Sequence, residues 1–449
     1  MTGTEFPEEP KSVFKQISQQ DLDRVLQNHK WFLKGRSGGQ RANLGSFDLS
    51  HLDLSGFDLS NADFSGARMR QTKLRASKLI AANLFATDLR KADLTGCDLS
   101  RADLRGACLR GADLTEALMQ ECDMRDGILL RSDKQGNLTT VAFDLSVADI
   151  GSAVLKGADM THSKMSNAFI MQTDLTDSIM RGVKLIRADL RNSNLTGTNL
   201  EGADLTEANL AGAIFHGAIL AGAILSNTNL EGADLVGAVL DTEQQNNIDF
   251  SKARMPKSIE ALGASLQEIL MQHVEWVGTA GKKGKRADFA RYDLSKQNMS
   301  GANLSAANCE FAIFREANLS KANLLMADLS FADLRGADLS YADLRGVNLK
   351  RANLCDAKLV GAKCGPVNIM GSTAHMWSAN LESARLSGAD LTACSFRNAK
   401  MQSADLAGTR MQDADFRNAD LQDGIFTAAD TRGANFDGAD LRGAVGFRK

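Results

Sequence analysis

From Asn43 onward an apolar residue returns at every fifth position, as in Leu44, Leu49, Leu54, Leu59, Phe64, Met69, Leu74 and Leu79. Two residues before each stands a small residue, most often alanine (Ala42, Ala62, Ala82), and Asp or Asn separates the two. The unit reads A(D/N)LXX. A helix cannot use this spacing, because five steps of about 100° carry the leucine about 140° around the axis and leave no apolar stripe. An unbroken strand cannot use it either, since an odd period sends successive leucines to opposite faces. The chain must therefore turn once per unit. Alanine and leucine share the inward face of a short strand, Asp or Asn points outward between them, and the last two residues make the corner.

Breaks in the period divide the chain. A first array runs from Leu44 to Leu129, and a second, one residue out of register, from Leu145 to Met255. The stretch between them, 131–143, reads as a loop extruded from one coil, with Gln135-Gly136-Asn137 as a hairpin tip. Residues 242–247 replace one unit without shifting phase. Over 257–286 the period of five gives way to a helical pattern: Leu266, Ile269, Leu270 and His273 share a face, with Ser265 as N-cap and Glu268 three residues on. A third array runs from Phe289 to Ile369, and a two-residue shift within 371–373 starts a fourth, from Met376 to Leu441.

Residues 21–44 align with 265–289: Leu22 with Leu266, Val25 with Ile269, Leu26 with Leu270, His29 with His273, and Arg41-Ala42 with Arg286-Ala287. This reads as an internal duplication of a leader helix followed by a solenoid. The organisation expected is a flexible tail (1–17), a leader helix (18–40), a first solenoid (41–256), a second helix with a basic linker (257–286) and a second solenoid (287–449). The open first coil of a solenoid exposes core and unpaired strand edges, which a capping element must cover. Leu22, Val25, Leu26 and Trp31 are assigned that role in the first half, and Leu266, Ile269, Leu270 and Trp276 in the second, with His29 and His273 half-buried beside them. The segment DLRGAVGFRK at 440–449 has no such helix, so end-to-end homodimerisation through that coil is expected.

The repeat resembles the pentapeptide-repeat family over most of the chain. The resemblance implies an all-β fold, a right-handed quadrilateral parallel β-helix with short capping α-helices. It also implies four units per coil and strands stacked at about 4.8 Å. Dimerisation through an end coil, and in some members DNA mimicry directed at gyrase, are likewise what the resemblance implies.

Composition narrows the function. A net charge of −3 and a pI near 6.1 argue against general binding to nucleic acid or an anionic membrane. The stretch MTGTEFPEEPKS lacks a basic segment followed by an apolar run, and the most apolar stretch, 210–225, is short and stays in phase with the repeat. Seven cysteines with no Cys-x-x-Cys pair suit a reducing cytoplasm, the expected location. His51, His162, His216 and His375 fall in distant coils without metal-ligand spacing. Gly284-Lys285 fails as a phosphate loop, because Thr279 stands where glycine is needed and Arg286 where Ser or Thr would hold magnesium. No catalytic residue, metal or cofactor is expected.

One stretch departs from the mixed surface charge. No Lys or Arg lies between Arg191 and Lys252, whereas Glu201, Asp204, Glu207, Glu231 and Asp234 do. Ile214, Ile219, Ile224 and Val239 occupy outward slots there, and an apolar column beside acids reads as a docking surface. The occupant is either the second leader helix, with its basic run Lys282, Lys283, Lys285 and Arg286, or an unknown protein. The reading that results is a non-catalytic cytoplasmic scaffold. The alternative is a DNA mimic acting on gyrase or topoisomerase, which needs a continuous acidic face that Arg and Lys here interrupt.

Overall fold

The structure is a computed structural model that describes residues 14–127, 129–132, 138–141, 148–241, 244, 248–369 and 375–447. It contains two compact units, Met1–Asp234 with Ala238–Arg254, and Leu235–Gly237 with Met255–Lys449. Each is a solenoid whose outward residues pair in parallel with residues twenty positions on, as in Asn43–Asp63–Asn83–Asp103 and Asp288–Asn308–Asp328–Asn348. A repeat of five with a stacking period of twenty gives four sides per coil.

Every position of the unit has a physical reason. The leucine and alanine slots are buried, as at Leu99, Ala102, Leu334 and Ala337, and each leucine contributes about 2 kcal/mol. Coils are joined by paired backbone bonds such as Leu44 N to Asp63 O (2.7 Å) and Asp63 N to Ala42 O (3.0 Å). Corners are β-turns closed by bonds such as Ala62 N to Leu59 O (3.0 Å), with the third residue left-handed (Asn61, φ 63). The outward Asp or Asn accepts the N–H two residues on, as Asp58 Oδ1 does from Ser60 N (3.1 Å). Asp and Asn reach that amide through an Asx turn, which a longer side chain does not favour. Threonine in the small inward slot donates to the carbonyl of a leucine-type slot in the coil before, as Thr87 does to Phe64 O and Thr173 to Ile150 O (both 2.9 Å). A buried hydroxyl is thereby satisfied at no cost to packing.

The caps are more elaborate than a helix laid on a core. In the first unit β1 (Lys15–Gln16) pairs in parallel with β2 (Phe47–Asp48). Residues 14–17, expected in the flexible tail, thus belong in part to the cap, while 1–13 lie outside the described residues. Next comes α1 (Gln19–Leu33), capped by Ser18, whose side chain accepts from Asp21 N. Gln19 then plugs another strand edge, donating to Asp53 O (3.0 Å) and accepting from Asp53 N (2.9 Å). The second unit repeats the plan: Lys257 pairs with Tyr292, and α2 (Leu266–Gly278) starts at the Ser265 cap. Lys15 lies over the Phe47 ring and Lys257 over the Tyr292 ring, at 5.4 and 5.3 Å.

Leu22 and Leu26 are buried in the first cap, with Val25 at its margin. In the second, Leu266, Ile269 and Leu270 pack on the core of their own solenoid. Trp31, assigned to the cap, is 37 % exposed, and Phe32 beside it is 41 % exposed. The aromatic equivalent to Trp276 is Phe32, three residues beyond its histidine, and each of these rings stacks on that histidine. His29 and His273 are fully buried rather than half-buried.

Two hairpins interrupt the coils. β3 (Leu129–Ser132) pairs antiparallel with β4 (Leu138–Val141), and the expected tip at 135–137 lies outside the described residues. The shift expected at 371–373, also outside them, is flanked by a second hairpin, β5 (Val367–Ile369) with β6 (His375–Trp377). Of the irregular unit 242–247 only Gln244 is described. It is buried, and its amide donates to Leu220 O (2.6 Å) and Ala223 O (2.7 Å).

Candidate interaction surfaces

The outward aspartates alternate with arginines two residues on, and the two lock together. Asp103–Arg105, Asp123–Arg125, Asp343–Arg345 and Asp415–Arg417 each form a fork with an N···O distance of 2.6–2.7 Å. The carboxylate accepts both its own corner amide and the guanidinium, as Asp343 does from Arg345 N, Nε and Nη2. Two aspartates go further. Asp88 is clamped between Arg70 (2.5 Å) and Arg90 (2.7 Å), and Asp333 between Arg315 (2.6 Å) and Arg335 (2.7 Å). Burial pushes both carboxyls up, but the paired guanidiniums outweigh it and hold them below the ordinary value of 3.8.

Three acids of the acidic stretch are paired with cations of the coil before it, and a fourth lies beside a histidine. Arg181 pairs with Glu201 (3.3 Å), Lys184 with Asp204 (3.6 Å), Arg187 with Glu207 (3.9 Å), and His216 lies 3.2 Å from Asp234. The nine residues proposed as one docking surface also fail to share a face. Ile214 stacks with Asp234, Ile219 with Val239 and Ile224 with Asp204, on three different sides, while Glu201, Glu207 and Glu231 sit at corners. Val239 is buried and Ile219 half-buried, whereas Ile224 is 47 % exposed. Residues five apart in sequence are a quarter-turn apart in space, so a run of isoleucines encircles the coil instead of forming a patch. The apolar side of α2 lies on the second solenoid's own core.

The β5–β6 hairpin offers a different surface. Met376 and Trp377 are 55 % and 50 % exposed, and the indole Nε1 donates to Gly346 O (3.1 Å). Gly346 is left-handed (φ +65), and a Cβ there would stand 3.0 Å from Trp377 Cδ1, so glycine seats the ring. Beside it runs a groove of about 510 Å³, lined by Met326, Asn348, Lys350, Asn380 and Lys400 among others. The sequence signalled this place only as a change of phase, since a hairpin inside a coil leaves the units on either side intact.

The last described coil presents a further apolar area. Phe436 and Leu441 are half-buried, Phe447 packs edge-on against Phe426 (5.2 Å) and Phe436 (5.0 Å), and the exposed Ile425 and Val445 are stacked neighbours.

Among the described residues no three His, Cys, Asp or Glu side chains come together as metal ligands. Burial pushes the Cys97, Cys108 and Cys355 thiols up, and that of Cys122 to about 12. Cys108 is buried although it occupies the outward slot of its unit, between Ala107 and Leu109. No helix of the described residues is long and apolar enough to cross a membrane.

The family model for pentapeptide repeats matches residues 40–75, 77–116, 144–177, 184–241, 285–363 and 378–445, well over half of the chain. The chain belongs to the pentapeptide-repeat family. Its fold is accordingly the right-handed quadrilateral β-helix. Among solved structures this pentapeptide-repeat protein is similar to Rfr23 from the cyanobacterium Cyanothece 51142, at 28 % identity over 31 % of this chain and 88 % of that one, TM-score 0.22. HetL from the cyanobacterium Nostoc, a protein involved in heterocyst differentiation regulation, matches at 21 % identity over 92 % and 93 %, TM-score 0.16. Trypsin-treated QnrB1, a plasmid-mediated fluoroquinolone resistance protein, matches at 20 % identity over 51 % and 91 %, TM-score 0.25. No curated protein matches the chain.

Proposed function

We propose that the chain is a non-catalytic protein-interaction scaffold of the cytoplasm, and that its partner is a protein seated at the β5–β6 hairpin. The observation that carries the reading is Trp377 held half-exposed over Gly346 beside the Lys350–Lys400 groove, on a solenoid whose outward carboxylates are otherwise tied into turns and forks. Exposed tryptophan and methionine next to a polar floor is the composition of an interface centre. The paired carboxylates weigh against a DNA-mimicking face, which would need them free and in register. The test compares tagged full-length chain with the Met376→Ser/Trp377→Ser variant in affinity capture from native lysate. A partner retained by the parent and lost by the variant, with unfolding temperature unchanged, supports the reading, and identical capture by both overturns it.

Self-association through the last coil is a second part of the proposal, supported by Ile425, Val445, Leu441 and Phe436, which stay partly open to solvent. Sedimentation velocity is expected to give a dimer at micromolar concentration that Ile425→Lys/Val445→Lys reduces to monomer. A monomeric parent at that concentration refutes it.

A further inference from the structure

The first coil of each solenoid begins with an amide that lacks its usual acceptor. In later coils the alanine N–H closes the corner before it, as Ala62 N does on Leu59 O and Ala307 N on Leu304 O (both 3.0 Å). Ala42 and Ala287 begin the first coils, and their N–H groups donate instead to His29 Nδ1 (3.1 Å) and His273 Nδ1 (3.0 Å). The two imidazoles are fully buried, and each stacks on the aromatic ring three residues later in its own helix. The centroids are 5.8 Å apart for Phe32 and 5.7 Å for Trp276. In both rings Nε2 is buried as well. The two leaders differ at most positions, yet acceptor, amide and stacked ring recur in both.

An imidazole nitrogen accepts a hydrogen bond only when it carries no proton. A protonated ring would set N–H against the alanine N–H inside a dry contact, where an unpaired charge is costly. We propose that His29 and His273 are acid-released latches: protonation breaks the bond to the first-coil amide and loosens the leader helix, baring the strand edge that the cap covers.

Other groups modulate the latch without reversing it. Around His29, burial opposes the cation, Asp58 and the Ser60 backbone favour it, and Arg41 opposes it. Around His273, burial and Arg286 oppose the cation while the Ser305 backbone favours it. Burial dominates at both, so each ring titrates below the ordinary 6.5. The sign follows: the folded chain binds fewer protons than the unfolded one, so the caps hold fully above pH 6.5 and weaken as pH falls below it.

The test is hydrogen exchange of the full chain by mass spectrometry at about pH 7.5 and about pH 5, with protection corrected for intrinsic rates. Peptides covering 19–44 and 266–289 are expected to lose about tenfold or more protection in acid, while interior coils such as 329–344 keep theirs. In the His29→Asn/His273→Asn variant the side-chain amide oxygen can accept the same N–H but does not titrate, so protection should persist at both values. Unchanged protection in the parent overturns the proposal, as does a variant that loses protection along the parent's profile. Should the variant fail to fold, Trp276 emission in a Trp31→Phe/Trp377→Phe background provides the second readout. Quenching by the stacked imidazolium on acidification supports the latch, and a flat trace down to about pH 4.5 overturns it.

Discussion

Aspartate in place of Leu334 is expected to abolish cooperative folding of the second solenoid while leaving the first intact. Leu334 is fully buried, and its neighbours in the stack, Phe314 and Leu354, are too. The substitution removes about 2 kcal/mol of apolar burial and adds the cost of a carboxyl with no partner, for a total loss of at least about 4–5 kcal/mol. A marginally stable array does not absorb that, because each coil depends on the next for half of its contacts. Calorimetry of the full chain is expected to lose one transition and keep the other, and Leu99→Asp should remove the complementary one. A variant melting within a few degrees of the parent would show that this column is not the core.

The second large effect is expected at the buried clamps. Asp333→Ala leaves Arg315 and Arg335 facing each other across a site where the aspartate was 2 % exposed. Breaking a buried pair from one side costs about 3–5 kcal/mol, and the part-exposed guanidiniums place the loss at the lower end of that range. Asp88→Ala should behave alike in the first solenoid, between Arg70 and Arg90. The pH dependence separates this effect from lost packing. Both carboxyls sit below 3.8 in the folded chain, so their contribution is complete above that pH and is lost as pH falls through the lowered value. Urea titrations at about pH 7 and about pH 3 should therefore show the gap between parent and variant shrinking in acid. A gap independent of pH would assign the loss to packing alone. The exposed fork Asp440–Arg442 serves as a control in which little change is expected.

Much of this structure is legible in the sequence because a repeat averages over its own exceptions. The inward leucine and alanine, the turning corner and the four-unit stacking follow from spacing and family resemblance, and Ser265 caps its helix as the S-x-x-E pattern requires. What escaped was whatever depends on a third dimension. The isoleucines at 214, 219 and 224 look like one patch along the chain, yet each step of five turns to a new side. The Asp–Arg spacing suggested only mixed charge, whereas the geometry makes each pair a fork around a corner amide. Trp31 and Trp276 share an assigned capping role, but the ring that stacks on the histidine as Trp276 does is Phe32, set by distance from that histidine. Lys15 and Lys257 were not matched at all, because a two-residue strand has no periodic signature.

The constant interval between paired residues limits how such a chain can change length. Partners normally lie twenty apart, but Cys108 pairs with Asp149 and Asn348 with Asn380, with a hairpin interposed each time. Both detours leave and rejoin the coil at one corner, so the next unit takes the side it would otherwise have taken and every later side chain keeps its orientation. Deleting a single pentad would instead rotate all downstream residues onto the adjacent side relative to the coils before it, and a deletion between Arg315 and Asp333 would part that clamp from one of its two arginines. Growth and loss that keep every later residue on its side are thereby whole coils of twenty residues or excursions that return to the corner where they began.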